Sequence, residues 1–289
     1  MQLISCKLCG GLGNQLFQIF TAISYAIQYK MSFFFLNNHQ LGNGSNGSTI
    51  RYTYWDTFLT RLKPFLKDIS TIPPLMYIIE KDFTYQNLPK NYETNVGTLL
   101  VGYFQSPKYF DNCKETICKM LKIGLKKTIV KHKTDINFDD NNIISLHFRY
   151  GDYKKYPNVY ELLDYNYYYS ALTFITNKIQ SKQTQKEVIV LCFCETDSLL
   201  ESNEIVKNLK IHFPKIRFQK VDDSLQDWEQ MLLMSLCHDN IIANSTFSWW
   251  GAYLNTNSEK IVCYPNQWFS PKANKDTSDL FPEDWIKII

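Results

Sequence analysis

The run Ser145-Leu146-His147-Phe148-Arg149-Tyr150-Gly151-Asp152-Tyr153 sets a histidine and an arginine at the end of an apolar stretch, directly before a glycine. A guanidinium is a planar fork of N–H donors that grips phosphate oxygens in pairs, and open α/β sheets bind ligands beyond the carboxyl ends of their strands. His147 and Arg149 at such an end point to a diphosphate-activated donor. The ordinary alternative is a satisfied core histidine and an arginine paired with a surface carboxylate. Asp152, three residues past Arg149, is a candidate general base, although a turn aspartate also bonds its own backbone.

Two further clusters fall at the same kind of place. In Asn244-Ser245-Thr246-Phe247-Ser248 a short apolar stretch gives way to hydroxyls and then a helix. Free amides and the positive dipole end of a helix N-terminus form a phosphate cradle there, or the serines serve as an ordinary N-cap. Asn244-Ser245-Thr246 also fits a glycosylation acceptor pattern, which carries little weight in an intracellular chain. Asp197 follows the apolar run 188–193, where its carboxylate either accepts from the N1 and N2 donors of guanine or caps the next helix.

Near the N-terminus, Gly10-Gly11-Leu12-Gly13-Asn14-Gln15 invites a dinucleotide reading. It fails, because Leu16 stands where a third glycine is needed and no acid lies about 20 residues on to hold a ribose. A Walker lysine is absent too. What remains is a tight turn feeding a helix N-terminus, with Gly11, Gly13, Asn14 and Gln15 placed toward an anion or sugar hydroxyl, or else glycines that only allow close packing. The chain has no Asp-x-Asp triplet of the kind that bridges a metal to a nucleotide sugar. We therefore expect no metal or other cofactor, with Arg149, helix-end amides and His147 meeting the charge of a departing diphosphate.

Positioning these groups requires strands and helices in alternation. Strands are expected at 143–148, 188–193, 216–221, 241–243 and 261–264, and helices at 165–180, 199–209, 227–237 and 248–254. Strands separated by single helices imply right-handed crossovers and a doubly wound parallel sheet. The first half begins as strand (3–9), glycine turn and helix, with a second strand at 33–36, a Gly/Asn/Ser-rich surface loop at 37–48, a short strand at 99–101 and a helix to about 122. Residues 50–95 give no clear pattern. The polar stretch 126–142 suggests a boundary between domains 1–140, on the acceptor side, and 141–289, on the nucleotide-sugar side.

Composition narrows the classes. The chain has 289 residues, 45% hydrophobic and 20% charged, and a net charge of +3 without long single-sign runs, so it is globular and carries no nucleic-acid footprint. Its 19 Tyr, 19 Phe and 6 Trp suit sugar-stacking surfaces as well as core packing. No apolar stretch reaches the roughly 20 residues of a membrane span, and the N-terminus lacks the pattern of a secretory signal. A soluble, cytoplasmic protein is expected. Of the 8 cysteines, Cys6 and Cys9 have zinc or redox spacing, but no second close pair follows, so reduced thiols are expected, Cys192 and Cys194 included.

Taken together, Gly10 through Gln18, Gly102-Tyr103-Phe104-Gln105-Ser106, His147 through Tyr153 and Asn240 through Leu254 resemble, in order, the motifs of the α-1,2-fucosyltransferases of glycosyltransferase family 11. The resemblance implies a GT-B-type fold of two Rossmann-like domains facing a cleft, GDP-β-L-fucose as donor, and inverting, metal-independent transfer to the 2-hydroxyl of a terminal galactose. It also implies that His147 and Arg149 hold the diphosphate and reacting centre, Ser245, Thr246 and Ser248 complete the phosphate pocket, Asn14 faces the donor from the other domain, and Asp197 reads guanine; we expect the strand tips of the second half to converge on a small electropositive hollow. The expected partners are GDP-fucose and a galactose-terminated glycan. Two departures stand out: Tyr150 replaces the second arginine of the central motif, and an Asp-Asp pair is reduced to Asp197-Ser198. The rivals are an enzyme of the same architecture using another nucleotide sugar and a non-catalytic glycan-binding relative.

Overall fold

The structure is a computed structural model and describes residues 2–41, 50–93, 95–181 and 186–289. Residues 42–49, most of the predicted Gly/Asn/Ser-rich loop, lie outside the described residues. The chain divides into two compact units, Met1–Leu125 with Asp276–Pro282, and Lys126–Lys275 with Glu283–Ile289. Sequence placed the division near 140. In the structure the polar stretch after Leu125 continues a helix, Ile123–His132, and a late segment returns to the first unit.

The N-terminal unit is built on β1 (Leu3–Cys6), α1 (Leu12–Tyr29), β2 (Ser32–Phe33), β3 (Leu75–Ile79) and β4 (Gly97–Val101). These strands form one parallel sheet in the order β2-β1-β4-β3. Helix α1 is buried from Leu12 through Ala26 with the single exception of Asn14, which is half-buried. Burying the polar Gln15 and Gln18 there requires hydrogen-bond partners, because an unpaired amide loses its water at a cost of about 1–3 kcal/mol. The helix stops at Lys30, whose left-handed φ of 54° lets its N–H reach the carbonyls of Ala26 and Ile27.

The C-terminal unit runs β5 (Asn142–His147), α2 (Tyr165–Ser181), β6 (Val188–Phe193), α3 (Leu199–His212), β7 (Arg217–Lys220), α4 (Asp227–Met234), β8 (Asp239–Ile241), α5 (Thr246–Tyr253), β9 (Val262–Pro265) and β10 (Ile286–Ile288). All six strands are parallel, in the order β7-β6-β5-β8-β9-β10. Central strands covered on both faces read as unbroken apolar runs, which is why β5 and β6 were legible in the sequence. Counting within this unit the order is 3-2-1-4-5-6, so the chain reverses its direction of winding between β5 and β8. Ligands of doubly wound sheets bind outside the carboxyl ends at that reversal.

Beneath the reversal the two strands are tied by buried amides. Asn240 Nδ2 donates to Ser145 Oγ at 2.6 Å and to the Met234 carbonyl at 2.9 Å, and Asn255 Nδ2 donates to Asn240 Oδ1 at 2.9 Å. A fully paired buried network of this kind fixes the lateral register of β5 against β8.

Candidate active site

Register delivers the predicted residues at the ends of β5, β6 and β8 to one sheet edge. Leu146 of β5 lies opposite Ile241 of β8, so Arg149 and Asn244, three residues past each, arrive level at the carboxyl edge. His147 likewise lies opposite Phe193 of β6, which brings Glu195 level with Arg149. One arginine thus stands between the ends of two neighbouring strands.

Its surroundings are acidic. One terminal nitrogen of Arg149 donates to Asp152 Oδ1 at 2.6 Å and the other pairs with Glu195. The guanidinium carbon sits 5.2 Å from the centre of the Tyr153 ring, whose hydroxyl donates to the Asn244 carbonyl at 3.0 Å. Tyr160 stacks on Tyr153 at 3.8 Å and 8°. Burial works against the charge of Arg149, but Tyr153, Glu195 and Asp152 outweigh it and raise its pKa above the ordinary value. The expected electropositive hollow is therefore corrected: one positive charge faces two negative ones. Lys154 does not redress this, since it pairs with Glu201.

His147 brings no charge either. It is 4% exposed, and burial followed by the Arg149 charge holds its pKa down at about 3, so the ring is neutral at physiological pH. It packs on Phe247 with ring centres 5.6 Å apart, and its Nδ1 has no hydrogen-bond partner. Tyr150, the departure from the double-arginine motif, is a core residue whose hydroxyl donates to the Leu163 carbonyl at 2.6 Å.

The turn after β5 is pinned to the end of β6. The N–H groups of Tyr150 and Gly151 donate to Ser198 Oγ at 3.2 and 3.1 Å, and Ser198 Oγ donates to Asp197 Oδ1 at 3.3 Å. Asp197 is exposed, and no side chain caps helix α3, so the alternative capping role is not taken up. Its carboxylate lies so close over Gly151 that a Cβ there would collide with it. A side chain at 151 would therefore push the exposed Asp197 carboxylate out of this position.

At the β8 end the hydroxyls are largely committed to the fold. Ser245 caps α5 by accepting from the Phe247 N–H at 3.4 Å, and Ser248, buried, donates to the Ala243 and Ser245 carbonyls, both at 3.3 Å. Asn244 Nδ2 donates to the carbonyls of Glu161 and Trp268 at 2.8 and 3.1 Å, anchoring two loops. Thr246 and Phe247 are the part-exposed residues of the first helical turn. What this end offers an anion is the N-terminus of α5 itself.

The N-terminal turn is a backbone construction. Gln15 Nε2 donates to the Gly10 and Tyr52 carbonyls at 3.0 and 2.8 Å, and Gln18 accepts from the Cys9 N–H at 3.0 Å while donating to the Gly102 carbonyl at 2.9 Å. Asn14 Oδ1 accepts from Gln105 Nε2 at 3.0 Å. Glu80 takes the N–H groups of Tyr103 and Phe104 at 2.7 and 2.8 Å. Gly13 is buried in α1, whereas Gly11 begins the helix with no atom within 4 Å of where a Cβ would stand. The Gly10-to-Gln18 and Gly102-to-Ser106 motifs thus hold each other within the N-terminal unit.

Sequence reasoning passed over Glu195, Tyr153 and Glu80. Glu195 was detectable in principle, because it stands two residues past the end of β6 as Arg149 stands two past the end of β5. Among the described residues no group of three or more His, Cys, Asp or Glu is placed to hold a metal ion, and no helix is long and apolar enough to cross a membrane. All eight cysteines are free thiols.

Comparison with known proteins places these features. The profile of Glycosyl transferase family 11 matches residues 76–289. An O-antigen biosynthesis glycosyltransferase, WbnK, of Escherichia coli is 28% identical across 98% of this chain and 99% of its own length. An alpha-1,2-colitosyltransferase of Escherichia coli is 23% identical across 100% and 99%, and a galactoside 2-alpha-L-fucosyltransferase of Caenorhabditis elegans is 24% identical across 96% and 77%. Among solved structures, an E. coli ADP-heptose LPS heptosyltransferase II superposes with a TM-score of 0.50 at 10% identity, covering 100% of this chain and 90% of that one. The fold is of the GT-B type, α/β with parallel sheets.

Proposed function

Because the chain belongs to glycosyl transferase family 11, we propose that it moves L-fucose from GDP-β-L-fucose to the 2-hydroxyl of a terminal galactose, with inversion and without a metal. The observation that carries this reading is the placing of Arg149 at the winding reversal of a 3-2-1-4-5-6 sheet, level with the N-terminal approach to α5. In the reading, the guanidinium and the α5 amides receive the diphosphate, and their positive character stabilises the charge that grows on GDP as the anomeric bond breaks. The acceptor oxygen attacks in line through an oxocarbenium-like state, the fucosyl–phosphate bond breaks as the new glycosidic bond forms, GDP leaves, and the proton of the acceptor hydroxyl is released to solvent. Asp197, exposed at the same edge, is the group assigned to guanine. Asp152, one oxygen of which accepts from Arg149, orients the guanidinium. His147, neutral, supplies shape and packing.

A second reading is favoured by the likeness to an α-1,2-colitosyltransferase: the same site transferring nucleotide-activated colitose, which is fucose without its 3-hydroxyl. The test is incubation of purified protein with lactose and a panel of GDP-fucose, GDP-colitose, GDP-mannose and UDP-galactose, with NMR of the products. An α-1,2-fucosylated galactoside supports the first reading. Turnover of colitose alone replaces it with the second, and binding of lactose without turnover of any donor overturns both.

A further inference from the structure

Donor binding, as proposed above, depends on Arg149, and each terminal nitrogen of that group holds a carboxylate. Asp152 holds one terminal nitrogen at 2.6 Å, Glu195 holds the other, and the buried Nε has no hydrogen-bond partner. The guanidinium, with its side chain 13% exposed, lies against the Tyr153 ring at 5.2 Å. A diphosphate entering here meets a net negative cluster and must share each terminal nitrogen with a carboxylate already bound to it.

The two acids are not equivalent. Asp152 belongs to the same short turn as Arg149, three residues on, and its side chain is 28% exposed. Glu195 reaches over from the end of the neighbouring strand and is 53% exposed. Its longer and more exposed side chain can swing into water and be rehydrated at once, whereas Asp152, shorter and about half as exposed, stands on the same segment as Arg149. Displacing a carboxylate from an arginine is cheap when that carboxylate is half-solvated and expensive when it is enclosed.

Resting on the donor-site reading, we propose that Glu195 is a competitor built into the site. Its carboxylate occupies the half of the Arg149 fork that the diphosphate takes, and it swings out when the donor enters. Asp152 remains and keeps the guanidinium aimed. When GDP is the occupant, Glu195 competes for the same nitrogen and speeds its departure, a useful property where product release limits turnover. The two carboxylates on one arginine therefore act with opposite sign on affinity.

Calorimetry with GDP on the wild type, Glu195→Gln, Glu195→Ala and Asp152→Asn tests this, together with the KM for GDP-fucose. Both Glu195 variants should bind GDP about two- to fivefold more tightly, the range open to a half-exposed ion pair, and lower KM by a similar factor without raising kcat. Asp152→Asn should bind GDP more weakly than the wild type. GDP affinity unchanged or weakened in both Glu195 variants, with the wild type binding GDP, would overturn the competitor while leaving the donor site intact. A wild type that binds no GDP removes the donor reading itself, and the competitor with it.

Discussion

The glycine turn of the N-terminal unit and the strand tips of the C-terminal unit both carry family-like motifs, yet they use side chains in different ways. In the turn, neutral amides do the work: Gln15, Gln18 and Gln105 bind backbone carbonyls, an N–H and Asn14, and Glu80 closes the neighbouring bend through two N–H groups. Their product is a backbone shape. At the strand tips one charged side chain is held ready by acids, an aromatic face and a helix end, and its product is a charge at a fixed point. The lesson is that motif residues of equal prominence can be either scaffold or contact. Substitutions in the first region should therefore register mainly in stability, and in the second mainly in turnover.

The strongest challenge to that division is Arg149→Ala. We expect kcat/KM for the donor to fall by about a thousandfold, the scale seen when a preorganised partner of a developing negative charge is removed. The unfolding midpoint should change little, because Asp152 and Glu195 are partly exposed and can be rehydrated. Arg149→Lys should recover only part of the loss, since an ammonium keeps the charge without the fork. Paired transfer assays and thermal melts check both, and a large fall in melting temperature with near-normal turnover would move Arg149 to the scaffold.

The glycine turn offers the complementary experiment. Gly10 has φ of 77°, and a Cβ there would collide with the Asn14 side chain, so Gly10→Ala should lower unfolding stability by about 2 kcal/mol. Gly11→Ala should cost at most about 1 kcal/mol, because nothing lies within 4 Å of the added carbon and its φ of −76° is ordinary. Denaturant unfolding separates the two. A Gly11→Ala variant that melts normally but fails in transfer would show that the open space above Gly11 belongs to a substrate, which would make this turn a contact after all.

The ease of reading these regions from sequence follows the same physics. Strands β5 and β6 were found because burial on both faces leaves a continuous apolar run, and α1 because its apolar residues recur at helical spacing. Strand β3 was missed, since its Leu-Met-Tyr-Ile-Ile run is only one residue buried in five and follows Pro73-Pro74. Strand β10 has three residues and no pattern to show. Arg149 could be placed from local sequence alone. Glu195 is 46 positions away, and only the pairing of β5 with β6 brings it alongside. The same tertiary pairing turned an expected positive hollow into an ion-paired cluster, and burial keeps the motif histidine neutral.

That last point yields the smallest and most specific effect. With its pKa held at about 3 against an ordinary 6.5, His147 stays unprotonated in the folded protein while the unfolded chain takes up the proton. The stability this contributes is fully present above pH 6.5 and is lost as the pH falls from there toward 3, because protons then favour the unfolded state. Replacing His147 by Leu removes that linkage. Relative to His147→Leu, the wild type should therefore lose about 1 kcal/mol of stability between pH 7 and pH 5.5, measured by denaturant unfolding at each pH. A difference constant across that range would mean that the folded imidazole takes up its proton as readily as the unfolded one, becoming charged as the pH falls through about 6.5. Two cations two residues apart would then share the strand tip, and the acids around Arg149 would have a second positive charge to answer.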